Sequence, residues 1–133
     1  MIGFHFVFCP KFRRPLFADR RIKAETRAII EGECRNRGWE IVAFEIMPDH
    51  LHLFVRVPNT TSPACIAQTL KGISSHELRT HMHHLKGIER QAFWARRYFV
   101  ESVGQADAKA VKRYIDNQER AWLREHGAMV VRA

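Results

Sequence analysis

His50 and His52 stand two residues apart in the run Met47-Pro48-Asp49-His50-Leu51-His52-Leu53-Phe54-Val55. Successive side chains of a strand point to opposite faces, so residues two apart share one face. The two imidazoles then project together, while Leu51, Leu53, Val55 and Val57 face the other way. Such a strand can bury its leucine face in a core and hold the imidazoles on an open face, a geometry that suits two metal ligands. Far along the chain, Tyr114 and Gln118 are four residues apart, which on a helix places them one turn apart on the same side. A tyrosine phenol, with a pKa of about 10, is a poor nucleophile at neutral pH unless its target is activated. A metal supplies that activation by polarising a phosphoryl oxygen and fixing the phosphate for in-line attack. If the helix packs near the open sheet face, Gln118 can become a third ligand beside His50 and His52, and Tyr114 can reach the phosphorus. A tyrosine that attacks DNA keeps the bond energy in a phosphotyrosine link, so the strand can be rejoined elsewhere without ATP.

These residues need elements to position them. Phe4 to Cys9 is a dense apolar run, compatible with a buried central strand. Asp19 can cap a helix that carries Ile22, Thr26, Ile29 and Ile30 on one face and stops near Gly38. Trp39 to Ile46 alternates weakly and is rich in strand formers, and the histidine strand follows and ends at Pro58. Ser62 and Pro63 make a helix start, with Ile66, Leu70 and Ile73 behind them at helical spacing. From His76 to Glu89 the pattern is ambiguous, with several histidines and Gly87. Arg97 to Val103 reads as a fourth strand ended by Gly104. A final helix over about 107–125 sets Val111, Ile115, Gln118 and Trp122 along one stripe. The order is β-α-β-β-α-β plus a helix that carries the tyrosine. That is an α+β, ferredoxin-like arrangement with helices on one sheet face and the other face available, common among nucleic-acid-binding domains. Fold alone does not give function.

With 133 residues the chain is expected to form one domain over 1–133. No apolar run approaches the roughly 18–20 residues needed to span a bilayer. In the first fourteen residues the apolar stretch precedes the basic one, unlike a signal peptide, so a cytoplasmic protein with no membrane partner is expected. The net charge is +8, from 22 Lys and Arg against 14 Asp and Glu. A surplus this large suggests a polyanionic partner, because each neutralised phosphate releases condensed counterions; the bland alternative is a chain that is merely basic. Lys11, Arg13, Arg14, Arg20, Arg21 and Lys23 cluster, as do Arg96 with Arg97 and Lys112 with Arg113. Phe12, Phe17 and Trp94 lie near these groups, as base-stacking surfaces often do, although core packing explains such aromatics equally well. Cys9, Cys34 and Cys65 form no C-x-x-C pair and read as small buried hydrophobes in a reducing compartment.

Beyond composition, His50-Leu51-His52 resembles the histidine–hydrophobic–histidine motif of the HUH endonucleases. Tyr114-Ile115-Asp116-Asn117-Gln118 resembles the tyrosine–glutamine helix motif of the single-tyrosine transposases, the TnpA proteins of insertion sequences. Phe6-Val7-Phe8 with Lys11-Phe12-Arg13-Arg14, the Met47-Pro48-Asp49 lead-in, Leu70-Lys71-Gly72 with Ser74-Ser75, and Trp94 through Gly104 are similar to that family's pattern, in one register over about residues 4 to 122. The resemblance implies an enzyme that binds hairpins near the ends of an insertion sequence and cleaves and rejoins single-stranded DNA. It implies a 5′-phosphotyrosine on Tyr114 with a free 3′-hydroxyl. It also implies a homodimer in which Tyr114 and Gln118 of one subunit complete the His50 and His52 site of the other. Gly104 to Asp107 would be the flexible connection for that exchange. Phe12 stands where relatives often carry tyrosine, which a stacking role would tolerate.

On the metal, two lines of argument pull apart. Two imidazoles and an amide by themselves suit zinc, nickel or manganese better than magnesium. The resemblance implies Mg²⁺ or Mn²⁺, with DNA phosphate oxygens and water completing the shell, and it is preferred because the metal would be bound with substrate present. For DNA binding, Lys11, Arg13 and Arg14 after the first strand and Lys71 and Arg79 on or near the second helix are expected from charge and family position. His81, His83 and His84 form a patch without a clear ligand pattern. His5 can share the sheet face of the histidine pair and is read as structural. Tyr98 lacks a partner like Gln118 and is assigned to packing or DNA contact. Two other functions compete: a host-adopted, repeat-associated tyrosine transposase acting on chromosomal hairpins, and a catalytically inactive nucleic-acid-binding relative.

Overall fold

The structure is a computed structural model and describes residues 1–84 and 92–103, with Arg113, Asp116, Asn117, Glu119 and Arg120. Its elements run β1 (Ile2–Phe8), α1 (Arg20–Arg37), β2 (Glu40–Met47), β3 (His50–Val57), α2 (Pro63–Met82) and β4 (Phe99–Val103), with two short 3-10 turns at Lys11–Arg13 and Leu16–Ala18. The strands form a four-stranded antiparallel sheet in the order β2-β3-β1-β4. This is the split β-α-β arrangement expected from the element order.

Sequence alternation decides which residues face what. Phe4, Phe6 and Phe8 of β1 lie opposite Val55, Leu53 and Leu51 of β3. All six are buried in one core cluster with Ile22 and Ile30 of α1 and Ile66, Leu70 and Leu78 of α2. Both helices therefore cover the same sheet face. On the opposite face, Val7 lies across from His52 and His5 across from Phe54. Phe54 packs there with Val42, Ala43 and Val103 in a second, smaller cluster. A bulge between Ile41 and Ala43 lets β2 keep register with β3 on both sides of Val42. Gly3 is needed where it stands: a Cβ there would lie 3.0 Å from the Val103 carbonyl and 3.1 Å from the Phe54 ring.

The helix boundaries follow their caps. Asp19 accepts from the Arg21 and Ile22 amides, and Gly38 ends α1 in the left-handed region with φ 72°. Ser62 accepts from the Cys65 amide, with Pro63 in the first helical position. α2 continues through the stretch left ambiguous in sequence, as far as Met82. There Ser74, not Ile73, is the buried residue; its hydroxyl donates to the Leu70 carbonyl at 2.6 Å and accepts from Trp94 Nε1 at 2.8 Å. That hydroxyl thus anchors the segment before β4 to α2. Of the three cysteines only Cys34 is fully buried; Cys9 is half-buried and Cys65 is exposed, which corrects the expectation that all three are core residues. No helix among the described residues is long and apolar enough to cross a membrane.

Candidate metal centre and active site

β3 carries the centre because its two faces do different work. Leu51, Leu53, Val55 and Val57 are wholly buried among the helices, while His50 and His52 emerge on the opposite face. That face is not open at this point: His50 is 0% and His52 1% exposed. Their ring centroids are 5.0 Å apart with planes at 81°. Glu119, on a helical stretch of the C-terminal segment, closes the pair. Its Oε2 lies 2.7 Å from His50 Nε2 and in short contact with His52 Nε2. The three candidate ligand atoms lie within 4.8 Å of one another.

Each imidazole is held from behind. Asp49 Oδ1 is 3.0 Å from His50 Nδ1, and the same carboxylate meets Arg13 Nη2 at 3.0 Å through Oδ2. Asp49 is 2% exposed, so this Arg13–Asp49–His50 chain is largely dry. A hydrogen on Nδ1 donated to Asp49 leaves Nε2 to face Glu119, the usual way a carboxylate fixes a metal-binding imidazole. His52 is fixed differently, by His5 of β1, whose Nε2 lies 2.9 Å from His52 Nδ1. Burial, and secondarily the charge of His52, pushes His5 down to about 4, so its ring is neutral near pH 7. A neutral His5 that accepts from His52 Nδ1–H again leaves Nε2 turned toward Glu119.

Glu119 is held ionised by the two imidazoles. Burial raises its carboxyl, but the hydrogen bonds and charges of His50 and His52 outweigh that and hold it at about 2. Its Oε1 is buried with no hydrogen-bond partner among the described residues. Two imidazole nitrogens facing one carboxylate oxygen need a proton on each Nε2, or a cation between all three. The donor set, two nitrogens and an anionic oxygen, is the composition that divalent metals accept. The residues present therefore fit a metal ion.

Tyr114 and Gln118 lie outside the described residues, as does most of the helix expected over about 107–125. Among the cations assigned to DNA, Arg13 is bound to Asp49. Arg14 donates to the carbonyls of Lys11, Ala92 and Phe93, and Lys71 Nζ donates to those of Ala95 at 2.6 Å and Arg96 at 3.2 Å. Desolvation lowers the Lys71 pKa accordingly. Arg14 and Lys71 thus brace the chain before β4, while Arg13 is engaged at the β2–β3 turn; Lys11 is half-buried and Arg79 exposed. His81 pairs with Glu77 one turn earlier on α2, and the Tyr98 ring packs against Phe6 and Phe8. Phe17 and Trp94 are core residues, whereas Phe12 is 67% exposed.

Sequence reasoning missed Glu119, Asp49 and the role of His5. A signal existed for the last two: an acidic residue immediately before the first histidine, and a β1 histidine whose alternation puts it on the same face. Glu119 carried only its adjacency to Gln118.

Residues 1–118 match the model of a family described as Transposase IS200 like. The transposase for insertion sequence element IS200 of Salmonella typhimurium is 34% identical over 116 residues, which cover 86% of this chain and 75% of that protein. The ISDra2 transposase TnpA of Deinococcus radiodurans is 22% identical over 118 residues, covering 88% of this chain and 84% of the relative. A crystal structure of a Deinococcus radiodurans protein described as a transposase superposes with a TM-score of 0.69 at 26% identity, covering 87% of this chain and 89% of the other. The structure of a REP-associated tyrosine transposase bound to a REP hairpin superposes with a TM-score of 0.64 at 19% identity, covering 95% and 68%, and shares the fold.

Proposed function

The chain belongs to the IS200-like transposase family, and on that premise we propose that it cleaves and rejoins single-stranded DNA at hairpin-bearing ends through a phosphotyrosine intermediate. The observation that carries this reading is the convergence of His50 Nε2, His52 Nε2 and Glu119 Oε2 on one position. Binding DNA alone requires no such cluster, which disfavours a purely nucleic-acid-binding relative.

In this mechanism His50, His52 and Glu119 would hold a divalent cation, Mg²⁺ or Mn²⁺. When bound, the cation polarises a phosphoryl oxygen of the scissile phosphate. Tyr114 Oη forms the new bond to phosphorus as the bond to the 3′-oxygen breaks. The phenol proton is lost, the 3′-oxygen takes one up, and the 5′-phosphate remains on the tyrosine. One phosphodiester replaces another, so rejoining needs no external energy source. Gln118 and Glu119 are alternatives for the third ligand, since neighbouring helix positions are turned by roughly 100° from each other. Either side chain would offer an oxygen, and a carboxylate in that position adds a negative charge that strengthens the hold on a hard divalent cation such as Mn²⁺ or Mg²⁺. Glu119 meets His50 and His52 within one chain. Exchange of the C-terminal helix between two copies preserves the same contact across a dimer, and this is the proposed working form.

The test uses single-stranded oligonucleotides containing the hairpins that flank the coding region, incubated with the protein and Mg²⁺, Mn²⁺ or EDTA. A metal-dependent covalent protein–DNA adduct on a denaturing gel is expected. Hairpin binding without any adduct would overturn the enzymatic reading in favour of a binding protein.

The Arg13–Asp49–His50 chain gives a second expectation. Asp49→Asn keeps the shape but weakens the acceptor that fixes the His50 ring, so Mn²⁺ affinity should fall roughly 10- to 100-fold. Calorimetric titration of Mn²⁺ reads this directly, and an unchanged affinity would remove Asp49 from the site.

A further inference from the structure

We infer that Phe12 is a stacking platform for one unpaired nucleobase of the DNA strand that passes the His50–His52 centre, with Lys11 beside it for the neighbouring phosphate. This subsite rests on the proposed action on single-stranded DNA and adds to it a residue that reads the strand outside the hairpin.

Its backbone supplies the first observation. Phe12 and Arg13 are the non-glycine residues with positive φ among those described, at 62° and 52°, and they are consecutive. Two bulky L-residues in the left-handed region are costly, and such strain persists only where the surroundings over-determine it. They do so here. The Lys11 amide donates to the Phe93 carbonyl at 2.9 Å and the Arg13 amide to Pro10 at 2.8 Å. Arg14 Nε then clamps the Lys11 carbonyl at 3.0 Å while its Nη2 holds Ala92 at 2.9 Å.

What this braced turn presents is the second. Phe12 is 67% exposed, the most exposed large hydrophobic among the described residues, while Phe17 and Trp94 nearby are buried. A strained turn that buried its aromatic would be explained by the core; one that lifts a phenyl ring into solvent is not. Lys11 Nζ lies 5.4 Å from the ring centroid, so a cation accompanies the exposed π-face. Aromatic face plus adjacent cation is the pairing that single-stranded nucleic acid uses, base on ring and phosphate on charge.

Position is the third. Arg13, next in sequence, reaches Asp49 at 3.0 Å, and Asp49 reaches His50 at 3.0 Å. The platform is thus tied to the metal centre through two successive polar contacts. A base seated on Phe12 would be held at a fixed offset from the phosphate at His50 and His52.

The experiment compares wild type, Phe12→Ala and Phe12→Trp on two DNAs: the hairpin alone, and the hairpin with a single-stranded flank carrying 2-aminopurine at successive positions. In the wild type, 2-aminopurine fluorescence should be quenched at one flank position. Phe12→Ala should abolish that quench and weaken flanked DNA roughly ten-fold or more, leave the hairpin alone unchanged, and be rescued by Phe12→Trp. Equal binding of flanked DNA by Phe12→Ala, or equal weakening of both DNAs, overturns the platform while leaving the DNA function standing. Failure of the wild type to bind either DNA overturns the proposed function and the platform with it.

Discussion

Tyr114→Phe is expected to bind hairpin DNA as tightly as the wild type and to form no covalent adduct, a loss on the order of 10⁴-fold or more in strand cleavage. The substitution removes one oxygen and keeps the ring, so packing and charge are preserved while the bond-forming atom is gone. Water cannot take its place with retention of the chemistry: hydrolysis would leave a broken strand and no linkage to rejoin. A denaturing gel of the metal-dependent reaction distinguishes these outcomes, because an adduct, a cut strand and an intact strand migrate differently. An adduct that survives in Tyr114→Phe would assign the nucleophile to another residue, with Tyr98 the first to test. The variant also probes the dimer. Mixed with a protein lacking the histidine pair, it should recover adduct formation if the helix of one subunit serves the centre of the other. A silent mixture would mean that the Glu119 contact within one chain is also the working arrangement.

Loss of metal is the second large effect. His50→Ala and His52→Ala each remove a candidate ligand atom and leave the partly buried Glu119 carboxylate facing one ring. Mn²⁺ affinity should fall by more than the ~10- to 100-fold typical of changes behind a ligand, with cleavage lost in parallel. Glu119→Ala and Gln118→Ala separate the two candidates for the third position. If Glu119 is the ligand, its removal weakens Mn²⁺ binding and Gln118→Ala does not; the reverse result would return the role to Gln118. Calorimetry or the electron paramagnetic resonance of Mn²⁺ reads binding without DNA and without turnover. Thermal melts should fall by a few degrees for His50→Ala and His52→Ala, since each ring is buried against Asp49 or His5, yet the fold should persist because neither ring belongs to the core packed by the helices.

Much of this architecture is legible in the residues. Alternation from His50 to Val57 identifies a strand with one core face, and Asp19, Gly38, Ser62 and Pro63 mark helix ends that the structure repeats. These signals are local, set by strand pleat and by capping geometry. What escaped depends on partners far away in sequence. Glu119, which completes the histidine cluster, stands 69 positions after His50. Arg14, expected from charge to meet DNA, donates to the Ala92 carbonyl, 78 positions on, a partner that local sequence cannot show. The end of α2 is ambiguous in the sequence because several histidines and Gly87 blur the apolar period after His76, whereas the helix runs on to Met82. Positive φ at Phe12 has no sequence signature, since neither Phe12 nor Arg13 is a residue that favours it.

The two faces of β3 carry a consequence for how the protein lives with changing metal supply. In a zinc finger the ion substitutes for a core, and chelation unfolds the domain. Here the core lies on the leucine side of the strand, and the imidazoles are already braced by His5 and Asp49. Starvation for the ion should therefore silence the protein without exposing it to proteolysis, and resupply should restore it without refolding. On the proposed metal dependence, such a chain would persist as a reversible reserve whose activity tracks the ion rather than its own synthesis.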